Sequence, residues 1–136
     1  MIRPIMTNEL FLSQSSDRAS VSDTNTCSDL MDTIEFHKAE CVGMAANMIG
    51  IRKRIIVFND AGRNRLMLNP EIIEAQGEYE TEEGCLSLVG TRKTRRYQRI
   101  TVVYLDEGFI ERKERFTGFT AQIIQHEIDH CDGILI

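Results

Sequence analysis

Phe119-Thr120-Ala121-Gln122-Ile123-Ile124-Gln125-His126-Glu127-Ile128-Asp129-His130-Cys131 has helical composition and follows Thr117-Gly118, a pair that breaks a strand. Within it, His126-Glu127-Ile128-Asp129-His130 fits the pattern H-E-x-x-H. On a helix that spacing puts two imidazoles one turn apart on one face, where they can share a metal, with Glu127 beside it. Three fixed positions in five arise by chance fairly often, and the bland alternative is a solvated helix with incidental histidines.

Two histidines need a third partner, because catalytic four-coordinate zinc sites take three protein ligands and leave one position for water. Only six residues follow His130, so the third ligand is expected upstream. Cys85 is the best placed candidate. It lies in Glu82-Glu83-Gly84-Cys85-Leu86-Ser87, where a glycine lets the backbone approach closely and metal binding would deprotonate the thiol. Cys27 and Cys41 compete weakly. Cys131 is adjacent to His130 and would point about 100° away around the helix, which makes it a core or surface thiol. His37 has no ligand-type neighbour at helical spacing and reads as structural. A structural metal site is disfavoured, since such zinc sites usually have four protein ligands.

Working outward from this segment, Ile100 to Leu105 and Phe109 to Phe116 flank Asp106-Glu107-Gly108 and predict a hairpin. The charged run Glu111 to Arg115 predicts that its second strand lies largely in water at a sheet edge. Arg54 to Asn59 predicts a strand ending at Asp60-Ala61-Gly62, and Ile72 to Tyr79 another. Leu66-Met67-Leu68 is expected to stop at Asn69-Pro70. Leu30, Met31, Ile34 and His37 recur at helical spacing and predict an N-terminal helix over about Cys27 to Lys38. Ser13 to Thr26 reads as a loop. The expected fold is α+β: mainly antiparallel sheets packed around the C-terminal H-E-x-x-H helix, with an N-terminal helix, in a single domain over 1–136.

The 136 residues are 42% hydrophobic and 27% charged, proportions of a folded globular chain. No apolar stretch approaches a membrane span, and Met1 to Leu12 lacks the features of a secretory leader, so a cytoplasmic location is expected. There the four cysteines are expected as thiols or metal ligands. A net charge of -5 argues against general nucleic-acid binding. The basic cluster Arg92, Lys93, Arg95, Arg96 and Arg99 is expected as a solvated loop.

Three segments together resemble the peptide deformylase family. Cys41-Val42-Gly43-Met44-Ala45-Ala46-Asn47-Met48-Ile49-Gly50 resembles its Gly-x-Gly-x-Ala-Ala-x-Gln motif followed by x-Gly. Glu83-Gly84-Cys85-Leu86-Ser87 is identical to its Glu-Gly-Cys-Leu-Ser, and Gln125-His126-Glu127-Ile128-Asp129-His130 matches its Gln-His-Glu-x-Asp-His. The resemblance implies a metal-dependent hydrolase that removes formyl from N-terminal formyl-methionine and releases formate. Its partners would be formyl-methionyl peptides, including nascent chains at the ribosome. It also implies that Cys85, His126 and His130 hold one divalent metal, ferrous iron in the cell, replaceable by zinc, nickel or cobalt. Glu127 would act as general base and then acid, and the Leu86 backbone N–H as an oxyanion donor. Val42 and Gly43 would pair with the substrate backbone, and Arg92 would contact the peptide.

Two departures matter. Met48 stands where the family has glutamine, and a thioether cannot donate to an oxyanion, a loss worth roughly 10² to 10³ in turnover by comparison with other oxyanion donors. Asn47 could substitute only if the local backbone turned differently. Cys41 replaces the first glycine and predicts a narrower pocket. These departures keep alternatives open: a weak or inactive relative that binds metal or peptide, or a metallo-amidase for another small N-acyl amide.

Overall fold

The computed structural model describes residues 1–136. Five strands, β1 (Gly43–Ala45), β2 (Ile55–Asp60), β3 (Arg63–Cys85), β4 (Leu88–Leu105) and β5 (Glu111–Thr117), form one antiparallel sheet in the order β1-β2-β3-β4-β5. Helix α1 (Glu9–Leu12) and α2 (Thr24–Phe36) precede the sheet, and α3 (Gly118–Cys131) follows it. The expected α+β arrangement around the C-terminal helix is what forms.

The helices cover opposite faces of the sheet. Ile56, Phe58 and Met67 pack with Ile100, Val102 and Phe116 against Ala121, Ile123, Ile124 and Ile128 of α3. Ile55, Val57, Leu66 and Leu68, one residue out of phase, pack with Met44 against Leu30 and Ile34 of α2. The unbroken apolar runs Ile55 to Phe58 and Leu66 to Leu68 follow from this, because successive strand residues face opposite sides and here both sides are dry. Each fully buried isoleucine contributes about 1.5–3 kcal/mol.

Two strand expectations are corrected. Leu66-Met67-Leu68 does not stop at Asn69-Pro70; β3 runs through to Cys85, with register shifts between Leu68 and Glu71 and between Ile72 and Glu74. Asn69 adopts φ 52°, and its side chain pairs with both backbone groups of Ala19, so a turn-type residue is absorbed as a bulge. The basic cluster Arg92 to Arg99 is not a loop but part of β4, where Glu82 opposes Lys93 and Glu80 opposes Arg95 across the ladder. The loop expected over Ser13 to Thr26 is partly ordered: a Ser20 capping box opens a short 3₁₀ turn at Val21–Asp23, and Thr24 already begins α2. The hairpin of β4 with β5 forms as expected, and β5 is a largely exposed edge.

Candidate metal centre and catalytic cleft

α3 begins where β5 ends. The last rung of β5 pairs Thr117 with Arg99, which leaves the Tyr97 backbone without a partner on that side. Gln125 takes over: its Oε1 accepts from the Tyr97 N–H and its Nε2 donates to the Tyr97 carbonyl, each at 2.8 Å. This bond pins the helix to the sheet one residue before His126. His126 and His130 then lie on one face of α3, their ring centroids 4.9 Å apart.

Cys85 reaches the same point from the sheet. β3 and β4 are joined by the turn Leu86-Ser87, with Cys85 opposite Leu88 and a register shift after Gly84. The irregular tip turns the thiol toward the helix. Sγ of Cys85 is 3.3 Å from Nε2 of His130, and the two Nε2 atoms are 3.2 Å apart. The ligand atoms of Cys85, His126 and His130 all lie within 4.8 Å of one another.

This convergence fits a divalent metal. Two facing imidazole nitrogens and a cysteine sulfur converge on one point, and such a mixed set suits several first-row metals. His130 is fully buried, and burial together with the facing His126 pushes it down to about 3, so it is neutral. Burial also lowers His126, but hydrogen bonds with Cys85 and Glu83 outweigh it and raise the ring to about 10. A proton is therefore held where a cation would sit, and metal binding would release it.

Glu83 and Arg96 hold the candidate ligands in place. His126 Nδ1–H donates to Glu83 Oε1 at 2.8 Å, which leaves Nε2 free to face the centre. Glu83 also accepts from Arg96 and from Gln122 Nε2, and Arg96 donates on to Asp129 at 2.8 Å. Burial opposes the Glu83 charge, yet His126, Arg96 and Gln122 hold its carboxyl down to about 2.

Glu127 is buried beside this cluster, and its Oε1 has no hydrogen-bond partner. Burial pushes it up to about 7, against the opposing charge of His126, so it can both take and give a proton near neutrality. A cleft lined by Cys41, Val42, Gly43, Met48, Leu86 and Phe119, among others, opens onto Cys85, His126 and Glu127. Gly43 lets β1 approach α3 closely: a Cβ there would lie 2.6 Å from Ile123 Cγ2 and 2.7 Å from Glu127 Oε2, so these side chains would have to move.

Of the residues singled out in the sequence, Cys85, His126, Glu127, Leu86, Val42 and Gly43 meet at this cleft. Arg92 does not line it; its guanidinium faces Glu9 at 3.9 Å, and its Nη1 is buried without a partner. His37 lies outside, bonded to Glu40. Asn47 turns away from the cleft and donates to the His130 carbonyl at 2.9 Å, while Met48 faces it. Cys131 is a core thiol on α3. Sequence reasoning missed the supporting roles of Arg96, Gln122, Gln125 and Asp129.

An H-E-x-x-H helix packed on an antiparallel sheet, with a cysteine from a hairpin tip as third candidate donor, defines the class: a metallohydrolase. Residues 3–136 match the profile of polypeptide deformylase. The peptide deformylase of Clostridium beijerinckii is 52% identical over 136 residues, 100% of both chains. The structure superimposes on peptide deformylase from Thermotoga maritima with TM-score 0.89 at 28% identity, covering 99% of this chain and 95% of that one. The Met-Ala-Ser-bound class I type b peptide deformylase of Acinetobacter baumannii gives TM-score 0.88 at 28% identity, over 99% and 97%. The chain belongs to the peptide deformylase family. The family is metal-dependent, and no helix here is long and apolar enough to cross a membrane.

Proposed function

We propose that the chain, as one catalytic domain over residues 1–136, hydrolyses the N-formyl group of formyl-methionyl peptides and releases formate. The observation that carries this reading is the unpartnered Glu127 Oε1, buried against three converging donor atoms at the floor of an open cleft. Cys85, His126 and His130 would hold the metal, ferrous iron in the cell and replaceable by zinc, nickel or cobalt. Its Lewis acidity would polarise the formyl carbonyl and acidify a water.

The protein's own groups account for the rest. Glu127 Oε1 takes the water proton, and the same atom returns it to the amine as the C–N bond breaks. The Leu86 backbone N–H, at the hairpin tip beside Cys85, is the oxyanion donor. Gly43, on the edge strand β1, pairs with the peptide backbone, and Val42, whose carbonyl is taken by the Asn59 N–H, lines the cleft beside it. Nascent chains at the ribosome, in the cytoplasm, are the expected source of substrate. Met48 in the cleft wall adds no donor and favours a slow enzyme.

The test is deformylation of formyl-Met-Ala-Ser by anaerobically prepared, iron-loaded protein beside Glu127→Ala, with metal content measured on both. Formate release by wild type and about 10² to 10⁴ less by the variant is the expected result. Equal silence of the two, with metal bound, sinks the reading.

A further inference from the structure

β1 pairs only with β2, so its other edge has no strand partner, and Gly43 on that edge lines the cleft. Val42 accepts the Asn59 N–H at 2.8 Å and therefore faces β2. Backbone groups alternate direction along a strand, so Gly43 and Ala45 face the edge without a strand partner. Both of these edge groups carry a sulfur cap. The Cys41 thiol donates to the Gly43 carbonyl at 2.9 Å, and the Ala45 N–H donates to Met48 Sδ at 3.4 Å. Cys41 and Met48 both line the cleft, and they are the two residues that replace glycine and glutamine in the first motif. Burial, with Glu127 close by, raises the Cys41 thiol to about 12, so it remains a protonated donor.

We propose that Cys41 is a specificity-determining residue whose S–H occupies the Gly43 carbonyl, so that an incoming peptide N–H must displace it to pair with β1. An extended peptide added to this edge needs the Gly43 carbonyl as an acceptor. A thiol is a weak donor and an amide N–H a stronger one, so the exchange is favourable but diminished by the bond it breaks. A glycine at position 41 would leave the carbonyl free. The resting cleft is thus self-paired, and the thiol selects for ligands whose backbone N–H is correctly placed. Ligands bound through the metal ligands alone gain nothing from its removal.

The inference rests on the deformylase reading of the same cleft, and two measurements keep them apart. One is the Kd of a fluorescein-labelled Met-Ala-Ser peptide by anisotropy; the other is KM and kcat for formyl-Met-Ala-Ser. The proteins are metal-loaded wild type, Cys41→Ala, which removes the donor, and Cys41→Ser, which keeps one. Cys41→Ala is expected to lower Kd and KM about threefold or more, the scale of one modest hydrogen bond, with kcat moving less. Cys41→Ser is expected to bind no tighter than wild type. Unchanged or weaker binding by Cys41→Ala overturns the inference, as does a Cys41→Ser that behaves like Cys41→Ala. Failure of the deformylase reading shows separately, as absent turnover in every protein, while the Kd comparison still decides the role of Cys41.

Discussion

Glu83 Oε1 lies 2.8 Å from His126 Nδ1, and this bond joins the second motif of the sequence to the third. It fixes the ring so that Nε2, not Nδ1, faces Cys85 and His130. Glu83→Gln keeps the shape and can still accept from Nδ1 but loses the charge. Metal affinity, measured by chelator competition, is expected to fall about 10- to 100-fold with the fold intact. Affinity within twofold of wild type would leave Glu83 a purely structural partner of Arg96. Glu83→Ala is the poorer probe, because Arg96, 4% exposed, would be a buried charge without its main partner.

The three candidate metal donors could be singled out because each motif carries its chemistry locally. His126 and His130 are one helical turn apart, and Cys85 sits in a segment with its own glycine. Arg96 was not legible. Its role depends on its side chain meeting Glu83 and Asp129 of α3, although the register sets Tyr79 opposite Arg96 and Arg92 opposite Glu83, and no spacing along the chain encodes that. The basic run around it also hides the strand alternation, since charged residues occupy both faces: Arg95 points to water and Arg96 to α3. Asn69-Pro70 misled for a related reason. Turn residues in a strand signal a break unless something pairs with the bulge, and here the partner is Ala19, fifty residues earlier.

Gly43→Ala tests how closely β1 must approach α3. The new methyl would meet Ile123 Cγ2 at 2.6 Å and Glu127 Oε2 at 2.7 Å, so the carboxyl must move. Overpacking of this kind costs about 1–3 kcal/mol, and displacing a proton-transfer group by an ångström lowers turnover by about 10². The expected result is a folded protein with a reduced melting temperature and a kcat reduced far more than that loss of stability explains. A kcat equal to wild type would show that Glu127 has room to spare.

Glu114 supplies a pH dependence away from the cleft. Hydrogen bonds from Arg65 chiefly, and from Tyr104, hold its carboxyl below its ordinary value of 4.5. A depressed folded-state pKa contributes stability above the unfolded value, and that contribution is lost as pH falls through the folded one. Glu114→Gln is therefore expected to lower the melting temperature at pH 7 by about 1–4 °C, a modest shift because the pair is partly exposed. The gap between variant and wild type should narrow as pH falls below 4.5. A gap that widens on acidification would contradict the assigned sign.

Met48→Gln addresses the missing oxyanion donor. The Met48 side chain is 1% exposed, lines the cleft, and makes its polar contact as an acceptor of the Ala45 N–H at 3.4 Å. A glutamine of similar length can keep that contact through Oε1 and direct Nε2 toward the reacting carbonyl, where a donor is worth about 10² to 10³ in kcat when fully aligned. In the resting protein the same Nε2 is a buried donor without a fixed partner, which costs about 1–3 kcal/mol. The variant is therefore expected to gain turnover, by about tenfold or more, and to melt earlier than wild type. Steady-state kinetics on formyl-Met-Ala-Ser and a melting curve measure the two effects in one preparation. Loss of stability without a gain in kcat would mean that the Leu86 N–H and the metal already stabilise the oxyanion as far as this cleft allows, and that Met48 is there for packing against α2.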